Sequence, residues 1–157
     1  MIRRKVFGCV LVLIGLALAC ESPVDAGGNK SDSKVKATAE ASKIDAKRTQ
    51  NVTITLKIDK GWHLYANPVN HEFLEGAETK VKIASKGKLA KVSVKYPAGK
   101  TVIDKKEKYD VYEDVVKINA TILRAAGDTS PLEISVAVQA CDSKVCLQPA
   151  TIKLTTK

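Results

Sequence analysis

The sequence predicts an all-β fold, an antiparallel sandwich, on three observations. After Thr49 apolar and polar residues alternate at period two, as a strand with one buried face requires. No comparable stripe at helical period follows that point. Turn-forming clusters such as Asn67-Pro68, Ala126-Gly127-Asp128 and Ser130-Pro131 divide the alternating stretches into short segments, the spacing of a sandwich. At 157 residues, 45% hydrophobic and 4% aromatic, the chain fits one such domain plus extensions.

Residues 1–19 read as a secretory signal peptide: basic Arg3, Arg4 and Lys5, an apolar stretch from Val6 to Leu18, then Ala19 before Cys20. Leu16-Ala-Leu-Ala-Cys20 resembles the bacterial lipoprotein box, which implies cleavage before Cys20 and a lipid on its sulfur. A plain export signal or a retained anchor helix is the alternative. Cys9 lies within the leader and leaves with it. No later apolar run approaches the ~20 residues of a membrane helix. Without the three leader charges the formal net charge of +9 falls to about +6, modestly basic.

Residues 20–46 lack aromatics, are rich in small and charged residues, and read as a flexible linker with an r.m.s. reach of roughly 25 to 30 Å. Residues 47–157 form the domain. Its first strand is Val52, Ile54, Leu56 and Ile58 alternating with Thr53, Thr55, Lys57 and Asp59. The same alternation recurs at Val81 and Ile83, at Val92 to Tyr96, at Val116 to Ile122, at Leu132 to Val138, and at Ile152 and Leu154. Weaker strands are expected near Leu64 to Ala66 and Thr101 to Ile103. About 110 residues in two sheets can bury a core of Val, Ile and Leu without a crosslink.

Two cysteines remain in this domain, Cys141 and Cys146. They sit on the shoulders of a hairpin-like connection, where facing residues stand close enough for a disulfide. Three chemistries compete for them. A staple suits an exported protein, yet closing so short a loop stabilises by only ~2 kcal/mol. A zinc or copper site would need ligands such as His63 or His71, about 70 residues away, and no second cysteine pair is present. Thiol–disulfide exchange needs proximity and access, and a turn provides both. Nearby Lys144 favours a thiolate while Asp142 opposes it.

Gly61-Trp-His-Leu-Tyr-Ala-Asn-Pro68, Tyr109-Asp-Val-Tyr-Glu-Asp114 and Ala140-Cys-Asp-Ser-Lys-Val-Cys-Leu-Gln-Pro149 follow one another in the chain. Together they resemble the N-terminal periplasmic domain of the thiol:disulfide interchange protein DsbD, over roughly Lys47 to Lys157. The resemblance implies an immunoglobulin-like sandwich with Cys141 and Cys146 as the redox pair and no cofactor. It implies partners too: a membrane thiol reductase and periplasmic thiol-disulfide proteins, with electrons rather than a small molecule as the substrate. His63 and Tyr65 take the positions of an aromatic-rich segment beside the pair, and Trp62 reads as packing. A cap loop shielding the disulfide falls at Ile103 to Tyr109, with Tyr109 its only ring and Lys105 or Lys106 where an aromatic tip is expected. Asp104, Glu107 and Asp110 become candidates for tuning a thiol, and His71 reads as a loop residue.

The chain ends soon after its last strand, so the membrane-spanning and thioredoxin-like parts of that family would come from another protein. A lipid tether at Cys20 would hold the domain on a periplasm-facing membrane surface of a bacterial cell envelope. The rival expectation is a noncatalytic binding lipoprotein whose disulfide is only a brace. No Ser/His/Asp arrangement, phosphate-cradling glycine loop or paired carboxylates supports hydrolase or nucleotide chemistry. Scattered charge without interleaved aromatics gives nucleic-acid binding no support.

Overall fold

The computed structural model of the protein describes residues 30–156. The predicted signal peptide at 1–19, Cys9, the lipidation site Cys20 and the first part of the predicted linker lie outside the described residues.

The strands are β1 (Val35–Ala41), β2 (Thr49–Ile58), β3 (His63–Tyr65), β4 (Lys80–Ser85), β5 (Leu89–Lys95) and β6 (Lys100–Asp104). They continue as β7 (Glu107–Tyr112), β8 (Val115–Arg124), β9 (Leu132–Val138), β10 (Ala140–Cys141) and β11 (Ala150–Thr155). Every pairing between them is antiparallel, in the orders β1-β2-β8-β5, β10-β3-β7-β6 and β11-β9-β4. After Gln139, β9 passes directly into β10, which links the last two sheets. The fold is the expected immunoglobulin-like antiparallel sandwich.

Alternation drives each long strand. In β8, Val116, Ile118, Ala120 and Ile122 are buried while Val115, Lys117, Asn119 and Thr121 are exposed. Opposite it, β2 buries Val52, Ile54 and Leu56, with Ile54 facing Ile118 across the pair. Leu64 and Ala140 from the site sheet and Leu132, Ile134 and Val136 from the third sheet join the same core. That core is aliphatic apart from Tyr112, 2% exposed, whose hydroxyl donates to the Pro97 carbonyl at 2.9 Å. Trp62 packs against it, as expected for a structural ring, with Lys34 Nζ 5.2 Å over its centroid.

Most of the described part of the predicted linker is folded into the domain. Ser31–Lys34 form a 3-10 turn and Val35–Ala41 form β1, paired along its whole length with β2. Behind Val35 its inward side carries only Ala37, Ala39 and Ala41, too little apolar bulk to stand out in a sequence. What holds it is the edge of β2, which satisfies its backbone groups. Ser31, fully buried, donates its Oγ hydrogen to the Gln148 carbonyl at 2.8 Å and accepts from the Ala140 amide at 2.9 Å. The chain thus enters the domain between the two segments that flank the cysteines.

The predicted cap loop is a β-hairpin. β6 and β7 pair from Lys100 opposite Val111 to Asp104 opposite Glu107, and turn through Lys105 and Lys106 at φ 46 and 79. Positive φ at both central residues matches the right-handed twist of the flanking strands, despite the usual preference for Asn and Gly there.

A candidate thiol–disulfide site

Local backbone chemistry brings the cysteines together. Asp142 Oδ1 accepts from the Lys144 and Val145 amides, both at 2.7 Å. The Asp142 amide donates to the Val145 carbonyl and the Leu147 amide to the Ala140 carbonyl. This tight turn sets Cys141 opposite Cys146 as an antiparallel bridge, with Cα atoms 4.0 Å apart and the sulfurs joined as a disulfide. The Val145 amide first, then that of Lys144, holds the Asp142 carboxyl below the usual carboxylate range. The carboxylate is thereby kept ionised beside Cys141.

The two sulfurs differ in access. Cys141, in β10, is 1% exposed, whereas Cys146, on the returning arm, is exposed. Tyr65 spans them: its hydroxyl oxygen lies 3.7 Å from Cys141 Sγ and 3.8 Å from Cys146 Sγ. Disulfide sulfurs carry no hydrogen, so the phenol is the donor in either contact. Burial, reinforced by Tyr109, pushes the Tyr65 hydroxyl above the usual phenol range, so it keeps its proton.

Sheet register explains why these residues converge. His63 pairs with Cys141, Tyr65 pairs with Val111, and Tyr109 lies two residues from Val111 on β7. Residues directly opposite, or two apart on one strand, share a face. Cys141, His63, Tyr65, Tyr109 and Glu107 therefore occupy one face of the β10-β3-β7-β6 sheet, while Leu64 and Tyr112 point to the core. The His63 ring lies 6.0 Å from that of Tyr65, and the Tyr109 ring 5.9 Å from Tyr65, both edge-on.

Of the acids singled out from the sequence, Glu107 reaches this cluster indirectly, by pairing with His71 Nε2 at 2.9 Å. Asp110 is taken up elsewhere, accepting from Thr101 at 2.7 Å and Asn70 at 2.6 Å, and these bonds lower its pKa. Asp104 sits beside the hairpin turn opposite Glu107. Among the described residues, no hydrogen bond or ion pair joins Asp104 or Asp110 to the sulfurs. His71 lies in a loop, as read from the sequence, and packs its ring against Tyr109 at 6.4 Å. A contact between elements 36 residues apart leaves no local trace in a sequence. The described residues contain no cluster of three or more His, Cys, Asp or Glu suited to a metal.

Burial lowers the His63 pKa, against the opposing pull of Glu113 and Asp142. The unfolded chain then binds a proton near pH 6.5 that the folded chain takes up only at lower pH. Stability is expected to be fully present above that value and to decline as pH falls through the interval below it. Urea midpoints measured between about pH 7.5 and 5 should fall less steeply in His63→Gln than in the parent. Parallel curves would contradict this assignment.

The family model described as "Thiol:disulfide interchange protein DsbD, N-terminal" matches residues 32–157. No curated protein sequence matches the chain. Among solved structures, the N-terminal periplasmic domain of ScsB from Proteus mirabilis superposes with a TM-score of 0.59 at 15% identity, over 78% of this chain and 46% of that one. The chain thus spans about half the length of that relative. The reduced DsbD N-terminal domain of Neisseria meningitidis gives a TM-score of 0.50 at 17% identity, over 80% of this chain and 85% of that one. The same N-terminal domain in its complex with the PilB N-terminal domain, from the same organism, also gives 0.50, at 16% identity, over 76% of this chain and 80% of that one. At these identities the superpositions speak for the fold, and the family rests on the sequence match that spans nearly all of the described domain: the chain belongs to the family of the DsbD N-terminal thiol:disulfide interchange domain.

Proposed function

We propose that the protein is a thiol–disulfide exchange module that passes electrons through Cys141 and Cys146, from a membrane thiol reductase to thiol proteins of the cell envelope. The observation that carries this reading is the asymmetric pair, one cysteine buried and one exposed, under a single phenolic donor. A brace has no use for that asymmetry, whereas exchange needs one sulfur to be attacked and the other to leave.

The steps balance as follows. A reductant thiolate attacks exposed Cys146 Sγ, the Cys141–Cys146 bond breaks, and Cys141 leaves as a thiolate. The reductant's second thiolate then attacks its own sulfur in the mixed disulfide, releasing Cys146 and leaving the reductant oxidised by two electrons. In the reverse sense, Cys146 attacks a client disulfide and Cys141 resolves the adduct, so the client takes up the electron pair. A thiolate at buried Cys141 is disfavoured by lost solvation, and the Tyr65 hydroxyl offsets part of that cost by donating to it.

The complex of a DsbD N-terminal domain with a PilB N-terminal domain supports a protein rather than a small molecule as partner. We further infer a periplasm-facing location and a lipid tether at Cys20. Because Ser31, near the start of the described residues, is hydrogen-bonded to Gln148 and Ala140, such a tether would meet the domain beside the disulfide. A tether there would hold the pair near the membrane and raise the local concentration of a membrane reductase. The reading is tested by whether thiol buffers open and close the bridge reversibly. A disulfide indifferent to them would leave the binding lipoprotein as the better account.

A further inference from the structure

Besides the bonds of Asn70 and Val69 to Asp110, a contact between His71 Nε2 and Glu107 Oε2 at 2.9 Å joins the loop around His71 to the β6–β7 hairpin. A carboxylate only accepts, so Nε2 carries the hydrogen. The His71 side chain is 14% exposed and its other ring nitrogen, Nδ1, is buried without a partner. An unpaired buried nitrogen is a net cost, so this ring is a poor filler and holds its place through Nε2 and its ring contacts. These are with Phe73, at 5.8 Å between centroids, and Tyr109, at 6.4 Å and nearly perpendicular. Tyr109 in turn abuts Tyr65, whose hydroxyl lies on both sulfurs. Glu107 and Tyr109 are two residues apart on β7 and share its face, so fixing the carboxylate fixes the ring beside it.

We propose that His71 and Glu107 are positioning residues for exchange: their bond clasps Tyr109 against Tyr65 and thereby keeps the Tyr65 hydroxyl on the sulfurs. This rests on the exchange reading above and extends it to two residues that touch neither cysteine. With the clasp broken, Tyr109 gains freedom and Tyr65 spends less time as a donor, so in the reduced protein the Cys146 thiolate, within reach of the same hydroxyl as Cys141, forms less readily.

The test follows alkylation of Cys146 by iodoacetamide in the reduced protein across pH. The midpoint reports the thiol pKa, whereas a change in access alone moves only the plateau. His71→Ala and Glu107→Ala are each expected to raise the midpoint by roughly half a unit, a threefold loss of thiolate near neutral pH. Glu107→Gln, which still accepts the hydrogen bond, should stay near the parent. In a Tyr65→Phe background, His71→Ala should add no further shift. Glu107 is 68% exposed, so its variants keep the test open should His71→Ala fold poorly. Unchanged midpoints in both alanine variants, alongside a raised one in Tyr65→Phe, would overturn the clasp and leave exchange standing. A bridge that no thiol opens even in the parent would overturn both.

Discussion

Replacing Cys141 and Cys146 together with alanine is expected to abolish electron transfer completely while leaving the fold intact. The bridge closes a separation of only 5 residues, and restricting so short a loop stabilises by about 2 kcal/mol in the chain-entropy model. The sandwich does not depend on that. Ile54, Leu56, Leu64, Ile118, Ile122 and Leu132 are fully buried in one core, and each contributes about as much as the bridge when removed from water, at roughly 1.5–3 kcal/mol per side chain. The turn holding the cysteines also keeps the two amide bonds to Asp142, which survive the substitution. Transfer from a reductase to a client disulfide, assayed beside a urea unfolding curve, separates the two effects. A variant that still transfers electrons would remove the cysteines from the mechanism, and one that unfolds outright would make the bridge a brace.

The single variants should behave unequally. With Cys141→Ala, exposed Cys146 keeps its thiol and loses the partner that resolves adducts, so mixed disulfides with envelope proteins are expected to accumulate. With Cys146→Ala, the remaining sulfur lies in β10 at 1% exposure, beneath the Tyr65 hydroxyl, and few adducts are expected. Non-reducing gels of envelope extracts, with and without a reductant, read this directly. Trapping chiefly through Cys146→Ala would reverse the assignment of attacked and leaving sulfur. Absence of adducts with either variant would count against exchange as such.

The strands with bulky inward residues were legible from alternation alone, and the cysteine pair was legible from its spacing on a turn. What escaped did so for physical reasons. β1 hides because three of its inward residues are alanines, and it is held by the edge of β2 rather than by its own apolar stripe. β7 reads as a loop because Glu107, Lys108 and Asp110 crowd its first four positions, yet its pairing with β6 makes it a strand. Tyr65 was marked through family resemblance, but its place across both sulfurs depends on the register of β3 with β10 and β7. The three acids of the hairpin looked equivalent in sequence. The fold separates them, giving Glu107 to His71 and Asp110 to Thr101 and Asn70, with Asp104 left at the turn.

The electrostatics of the site follow from the same arrangement. The Val145 and Lys144 amides keep Asp142 ionised, and its charge opposes a neighbouring thiolate. The group on the sulfurs that favours one is a neutral donor, the Tyr65 phenol, kept protonated by burial. Such a donor stabilises a thiolate without adding a charge that would bind either partner too firmly.

Whether the bridge exchanges is read by equilibrating the protein in dithiol–disulfide buffers of graded potential, trapping free thiols with an alkylating agent and counting them by mass. Reversible opening of the Cys141–Cys146 bridge is expected at a potential above about −300 mV, where exchange-active pairs lie, with Cys146 alkylated first. A bridge that stays closed well below that potential, or opens only when the fold is lost, would contradict exchange.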